Sequence, residues 1–297
     1  MRKLLLQLDS SRLPSAFDRV VAYDGGADEV LSYGGVTVQD IEGLAHGAIF
    51  TRGPKDLHGT AIFIGGADMS LGEEMLEAAR TSFFGPLRVS VMLDPNGSNT
   101  TAVAAVVKIE RAAGGVRGKR VVVTAGTGPV GQRAAGLLAR SGAEVVITSR
   151  SAEVGTKAVS AIERRFGTRV RCIEMPDAGH ASEAIDGAEI LLNAGPAGVA
   201  LVPRQGWVGR EGLTVAVDLN AVPPLGIEGI ESRDDGAMRE GLTVFGALGI
   251  GSLKMKLHRA CIAKLFERND LVLDAESIAE VARDLPAAST SASTAKA

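Results

Sequence analysis

The sequence predicts an α/β fold arranged as two domains, on three observations. Short runs of β-branched and large apolar residues alternate with amphipathic helical stretches through most of the chain, the pattern of a largely parallel sheet covered on both faces. The length, 297 residues, suits one core in each half. Midway, a Gly-rich turn separates an apolar run from a helical one, where a second α/β unit would begin.

In the first half, "KLLLQL" (3–8), "AIFTR" (48–52), "TAIFIGG" (60–66) and "RVSVML" (88–93) read as strands. Helices are expected from Pro14, Asp40 and Asp68, since Pro and Asp suit helix starts. "AVAAVVKIERAAGG" (102–115) reads as a helix that bridges the halves and stops at Gly114 and Gly115. The second half gives strands at 119–125, 144–149, 169–173, 188–193 and 213–217, with helices from about 129 and over 153–166. In "GSLKMKLHRACIAKLFE" (251–267), Leu253, Leu257, Cys261 and Leu265 recur every four residues, an apolar stripe expected to pack back on the first domain. The expected units are 1–113, 114–250 and the C-terminal helices at 251–285, followed by a patternless, disordered tail at 286–297.

Composition excludes several functions. With 32 basic and 35 acidic side chains, a net charge of −3 and no basic run, the chain offers nothing to neutralise a series of nucleic-acid phosphates. No apolar run reaches the ~18 residues of a membrane span, and Gln7 and Asp9 cut "MRKLLLQLDS" too short for a signal peptide. Cys172 and Cys261 lie far apart and the four histidines are isolated, which argues against a metal site and suits a reducing cytoplasm.

The Gly-rich turn carries the clearest chemistry. "RVVVTAGTGPVGQRAAGLLARSGAEVVITSR" (120–150) places Gly126-x-Gly128-x-x-Gly131 after a strand and at the mouth of a helix. There Gly126 would make the tight turn, Gly128 let a diphosphate approach and Gly131 let helix and strand pack, with Thr127, Pro129 and Val130 completing the cradle. The helix N-terminus would add unpaired N–H groups and partial positive charge. This is a Rossmann-like dinucleotide site. A preference for NAD places an acidic residue at the end of the second strand, roughly 20 residues on, to hold the ribose 2′-hydroxyl. Here that strand ends Thr148, Ser149, Arg150, and a guanidinium with neighbouring hydroxyls suits a 2′-phosphate. The expected cofactor is therefore NADP. Asn193, Ala194 and Gly195, at the end of strand 188–193, are expected beside the nicotinamide-side ribose.

Oxidising an alcohol needs a proton acceptor as well as a hydride acceptor. Neither Tyr23 nor Tyr33 begins a Tyr-x-x-x-Lys motif, and clustered metal ligands are missing from the sequence. Hydride loss from a carbon between two nitrogens, giving a resonance-stabilised cation, needs no proton relay and remains compatible with what the chain carries.

The stretches "YDGGAD" (23–28), "GVT" (35–37), "FTRGPKD" (50–56), "AIFIGGADM" (61–69), "DPNGSNTTA" (94–102), "AGTGPVG" (125–131), "DLNAVPPLGIEGI" (218–230) and "FGALGIGSLKMKLHRACIAKLFE" (245–267) give the chain, except its tail, a resemblance to the NADP-dependent methylene-tetrahydromethanopterin dehydrogenases of methylotrophic bacteria. The resemblance implies reversible oxidation of methylene-tetrahydromethanopterin, and of methylene-tetrahydrofolate, to the methenyl form, with the pterin between the domains. It makes Lys254 the active-site lysine and Asp18 an aspartate facing the cleft.

The polar turn 94–101, at a strand end, is expected to hold substrate through Asp94, Asn96, Ser98 and Thr100, with Ser98 or Thr100 also capping the following helix. Asp218 and Asn220 are expected to line the same cleft, and Lys256 is a weaker substrate candidate on another side of its helix. Lys254 is expected to open that helix after a Gly-rich segment suited to close approach of a nicotinamide, and His258 to be structural. A homo-oligomer is expected. Two other readings share these features. A shikimate-dehydrogenase-like reductase would need a lysine–aspartate pair, for which the first domain carries no matching constellation. A non-catalytic NADP sensor would leave the polar loops without a small molecule.

Overall fold

β1 (Leu4–Asp9) sends Leu5, Leu6 and Leu8 into the interior and ends on a buried Asp9, the first of a series of parallel strands whose polar ends mark where loops diverge. The computed structural model describes residues 1–286. The tail expected to be disordered lies, beyond its first residue, outside the described residues. After β1 come α1 (Ala16–Asp24), β2 (Glu29–Gly34), α2 (Ile41–Ile49), β3 (Thr60–Gly65), α3 (Met69–Thr81), β4 (Ser90–Leu93) and α4 (Ser98–Ala112). The second half runs β5 (Arg120–Thr124), α5 (Pro129–Arg140), β6 (Glu144–Ser149), α6 (Ala152–Phe166), β7 (Arg171–Glu174), α7 (Ala181–Ala184), β8 (Ile190–Asn193), α8 (Arg204–Trp207), β9 (Val215–Asp218), β10 (Asp235–Arg239) and β11 (Leu242–Phe245). The chain closes with α9 (Ala247–Leu265), β12 (Val272–Leu273) and α10 (Ala275–Asp284).

Two sheets result, as the α/β reading requires. The first has five parallel strands in the order β12-β4-β3-β1-β2. The second has seven, β10-β11-β9-β8-β5-β6-β7, parallel except for the β10–β11 pair. Taken from β5, the six parallel strands of the second sheet have the Rossmann order 3-2-1-4-5-6. Strand order reverses between β1 and β3 in one sheet and between β5 and β8 in the other. At such points the loops after neighbouring strands run to opposite faces and leave a crevice beyond the strand ends.

One apolar core runs through both sheets. Phe63 and Met92 from the first and Val121 and Val123 from the second join the buried faces of α4 and α9. Leu253, Leu257, Cys261 and Leu265 are all buried there. α9 packs on α1, β4 and α4, and β12 then pairs with β4, so the C-terminal segment does return to the first sheet.

Some expectations fail for identifiable reasons. The expected strand at 48–52 is the end of α2 and the bend that follows it: Ile41, Ala45, Ala48 and Ile49 are the buried positions, a helical rather than an alternating period. β2 escaped notice because it is an edge strand with Leu31 and Tyr33 half-exposed. β10 reads "DGAMR", an exposed edge with no hydrophobic signal. α9 begins at Ala247, so Lys254 lies two turns inside it; Gly249 is there because a Cβ would collide with the Asp234 carbonyl.

Candidate active site

Beyond the ends of β1 and β3 lies a cleft of about 350 Å³, lined by Asp9, Ser15, Phe17, Asp18, Asn96 and Lys254 among others. The carboxylate of Asp9 accepts the N–H groups of Ser11 (2.8 Å) and Ser15 (2.9 Å), folding the 10–15 loop back over the strand end. Ser15 then caps α1 by accepting the Asp18 N–H at 3.1 Å, which fixes Asp18 in the first turn. Burial pushes the Asp18 carboxyl up to about 6; the Ser15 side chain opposes this, Asp94 adds to it and the Lys254 ammonium opposes it.

Lys254 reaches the same cleft from α9. Its Nζ lies 5.4 Å from the centroid of the Phe17 ring. Gly97 takes a left-handed φ of 62°, and a Cβ there would run into the Lys254 head group. The lysine–aspartate combination that no single stretch of sequence contains is thus assembled by α1 and α9. His258, one turn on, is fully buried and stacked on Phe63 at 5.6 Å. Among the described residues neither ring nitrogen has a partner; burial lowers the pKa, Lys254 lowers it further and Asp94 opposes, so the imidazole is neutral.

The 94–101 turn is largely internal scaffolding. Asp94, Ser98 and Thr100 are buried. Asp94 accepts the N–H groups of Asn99 (2.8 Å) and Thr100 (3.1 Å) and the Thr100 hydroxyl (2.6 Å), capping α4 from outside. The expected cap by Ser98 or Thr100 is therefore wrong, and the groups of Asp94, Ser98 and Thr100 that were expected to meet substrate are enclosed within the turn. Asn96, with φ 52°, remains on the cleft wall.

Beyond β5 the glycine turn has the expected form with one change of role. The left-handed residue is Ala125 (φ 51°), not Gly126. Gly126 is needed because a Cβ would lie 2.7 Å from that of Ile147 on β6, and Gly131 because a Cβ would lie 2.7 Å from Gly126 Cα. At Gly128 a Cβ would meet nothing within 4 Å. Pro129 opens α5, and among the described residues the Val130 and Gly131 N–H groups make no backbone hydrogen bond. Thr148 is buried and its hydroxyl accepts the Ala125 N–H at 3.0 Å, so it holds the turn. The Ser149 hydroxyl donates to the Ser151 carbonyl at 2.8 Å. Arg150 is exposed and makes no ion pair or hydrogen bond with the described residues.

Two further expectations change. Asn193 donates to Asp218 at 2.7 Å and accepts from Thr124 at 2.8 Å, and Asp218 also accepts the Ile227 N–H at 3.0 Å. Asn220 accepts from Val222 N–H at 2.9 Å and donates to the Pro224 carbonyl at 3.2 Å. Asp218 and Asn220 thus tie together the loops after β8 and β9, are buried, and do not line the cleft. Lys256 points to solvent, two residues and so about half a turn from Lys254.

Comparison with known proteins agrees with these motifs. Residues 16–96 match the family description "Methylene-tetrahydromethanopterin dehydrogenase, N-terminal". The bifunctional protein MdtA of Methylorubrum extorquens is 50% identical over 285 residues, 96% of this chain and 99% of that protein. The chain belongs to the methylene-tetrahydromethanopterin dehydrogenase family. A second M. extorquens member, named NAD(P)-dependent methylenetetrahydromethanopterin dehydrogenase, is 34% identical over 284 residues, 92% of this chain and 95% of that one. In fold, this family member is similar to shikimate 5-dehydrogenase from Listeria monocytogenes (13% identity, TM-score 0.55, covering 94% and 96% of the two chains) and to quinate dehydrogenase from Corynebacterium glutamicum (15%, 0.53, 96% and 99%).

One residue that sequence reasoning missed joins the two halves of this dehydrogenase-family chain. Arg133, on α5 and buried, donates to Asn99 at 2.9 Å, to Glu73 at 2.6 Å and to the Pro129 carbonyl at 3.3 Å. It links the glycine turn to α3 and to the start of α4. No sequence signal distinguishes it from the other helical arginines. Among the described residues no cluster of His, Cys, Asp and Glu suits a metal, and no helix is long and apolar enough to cross a membrane.

Proposed function

We propose that this chain is a dehydrogenase that oxidises the methylene group carried by tetrahydromethanopterin, and by tetrahydrofolate, to the methenyl form with NADP in one-carbon metabolism. The observation that carries the reading is the joining, through Arg133, of two half-sites: a cleft holding Asp18 and Lys254, and a glycine turn with open space at Gly128. Family membership supplies the substrate class.

The residues fit the dinucleotide. The turn Gly126, Thr127, Gly128, Pro129, Val130 and Gly131 offers free N–H groups and an approach unobstructed by side chains, which suits a diphosphate. Arg150 is available for a 2′-phosphate, whereas Ser149 and Thr148 act behind it by shaping the turn. Ala194 and Gly195, which follow β8 beside the strand-order reversal, are in the place for the nicotinamide-side ribose, with the buried Asn193 holding the strand end behind them.

NADP when bound supplies the hydride acceptor: the methylene C–H bond breaks, hydrogen leaves with both electrons, and the substrate keeps a positive charge shared with the flanking nitrogens. The Asp18 carboxylate stabilises that charge as it develops, in a partly desolvated wall where it acts strongly. The three N–H donors of Lys254 orient acceptor atoms of the pterin. No proton leaves the reacting centre, so the neutral, enclosed His258 is not needed. The same reading includes a cytoplasmic homo-oligomer, in keeping with free Cys172 and Cys261.

The test is to mix purified protein and NADP with methylene-tetrahydromethanopterin, methylene-tetrahydrofolate or shikimate and follow the absorbance of the reduced nicotinamide. Reduction with a methylene-pterin is expected. Reduction with shikimate alone would transfer the Lys254–Asp18 pair to hydroxyl chemistry, and none with any of the three would end the dehydrogenase reading.

A further inference from the structure

Phe17 stands out among the residues of the cleft. It lies beside Asp18 at the start of α1, yet its side chain is 50% exposed. The other named groups of the wall, Asp9, Ser15, Asp18, Asn96 and Lys254, are polar or charged. Apart from the backbone and Ala67, only Phe17 and Leu13 give the cleft an apolar surface, and Phe17 is its one ring. The ring already attracts a cation, since the Lys254 ammonium sits 5.4 Å from its centroid.

Resting on the function proposed above, we infer that Phe17 is the stacking platform for the flat ring system of the pterin. Two physical effects favour this. A conjugated bicycle must cover its faces with something other than water, and an aromatic partner contributes about 0.5–1.5 kcal/mol beyond simple area burial. In addition, hydride loss turns the substrate into a delocalised cation, and the negative face of a phenyl ring attracts a cation more than its neutral precursor. Phe17 therefore binds the methenyl form more strongly than the methylene form. With Asp18 next in sequence, one turn of helix supplies both the face and the countercharge. Phe17 is not connected to the glycine turn by any hydrogen bond, so its effect is confined to the substrate side.

The experiment compares wild type with Phe17→Leu and Phe17→Tyr. Leu keeps apolar volume without a ring; Tyr keeps the ring. For Phe17→Leu the KM for methylene-tetrahydrofolate is expected to rise about 3- to 10-fold. The Kd for the methenyl product should rise by at least as much, while the NADP Kd from calorimetry stays within about twofold and confirms folding. Phe17→Tyr should stay within about twofold of wild type in all three. Wild-type values for Phe17→Leu would overturn the inference. So would an unchanged KM accompanied by a shift in sedimentation, which would make the ring part of a subunit contact. If wild type itself reduces no NADP with a methylene-pterin, it is the proposed function that falls, and this is seen before any variant is compared.

Discussion

Two glycines only three positions apart should fail in opposite ways when replaced by alanine. Gly128 has φ −77° and ψ 168°, which alanine adopts freely, and its new Cβ would meet nothing within 4 Å. Gly128→Ala should therefore leave folding intact or raise stability by about 0.4–1 kcal/mol through the unfolded chain. The methyl group would enter the space through which a diphosphate reaches the Val130 and Gly131 N–H groups. Losing one hydrogen bond to a charged group costs about 1.5–3 kcal/mol, or roughly 10- to 100-fold in affinity. At Gly131 the Cβ would sit 2.7, 3.0 and 3.1 Å from the Cα, C and O of Gly126, backbone atoms that cannot rotate away. Gly131→Ala should cost about 1–3 kcal/mol of stability, a fall in Tm of several degrees. Thermal melting and calorimetric titration with NADP read both effects. If Gly128→Ala binds NADP as wild type does, the open space at this glycine is not where the dinucleotide lies, and the assignment of the turn is refuted.

Three other substitutions probe the rest of the site. Arg150→Ala should weaken NADP about 10-fold or more while leaving NAD within about twofold, measured by titration; equal losses would mean that the guanidinium does not read the 2′-phosphate. Lys254→Ala should lower kcat by about 10²-fold with the NADP Kd nearly intact, and a wild-type turnover number would remove the lysine from the chemistry. For Asp18 the sign follows from a folded pKa of about 6 against an ordinary 3.8: the folded chain holds the extra proton between these values, so stability falls as pH rises through that window. Above pH 6 the buried carboxylate costs the fold about 3 kcal/mol. Asp18→Asn should thus raise Tm at pH 8, have little effect on it near pH 3.5, and abolish a rise in kcat/KM centred near pH 6 in the wild type; a variant less stable at pH 8 would contradict the burial argument.

The fold was legible where burial writes a period into the sequence. The strands β1, β3, β5 and β6 are apolar nearly throughout because both faces are covered, and the stripe of Leu253, Leu257, Cys261 and Leu265 announced a helix that had to pack. Edge elements left no such mark. β2 exposes Leu31 and Tyr33, and β10 is polar, so neither alternation nor a continuous run appears. At the site, Gly126 and Gly131 were readable because close packing there admits only glycine, and Gly128 completes the recognisable spacing. Arg133 was not, because the bonds that matter to it come from Glu73 and Asn99, distant in sequence.

The polar loops show why residue type alone overstates a binding site. A loop at a strand end has backbone N–H and C=O groups of its own, and burial obliges them to find partners. Asp94 answers to the first turn of α4, Asp218 to Ile227 and Asn193, and Asn220 to Val222 and Pro224. Each is the right kind of residue in the right place, but its hydrogen-bonding capacity is spent before a ligand arrives. Asp18, Lys254 and Arg150 differ in that none of them makes a close ion pair among the described residues. Burial lifts the Asp18 carboxyl against the opposing pull of Ser15 and the Lys254 ammonium, Gly97 makes room for the Lys254 head group, and Arg150 stands in solvent. Uncommitted charge at the mouth of a crevice, rather than polarity as such, is what separates the groups that can act on a substrate from those that hold the crevice open.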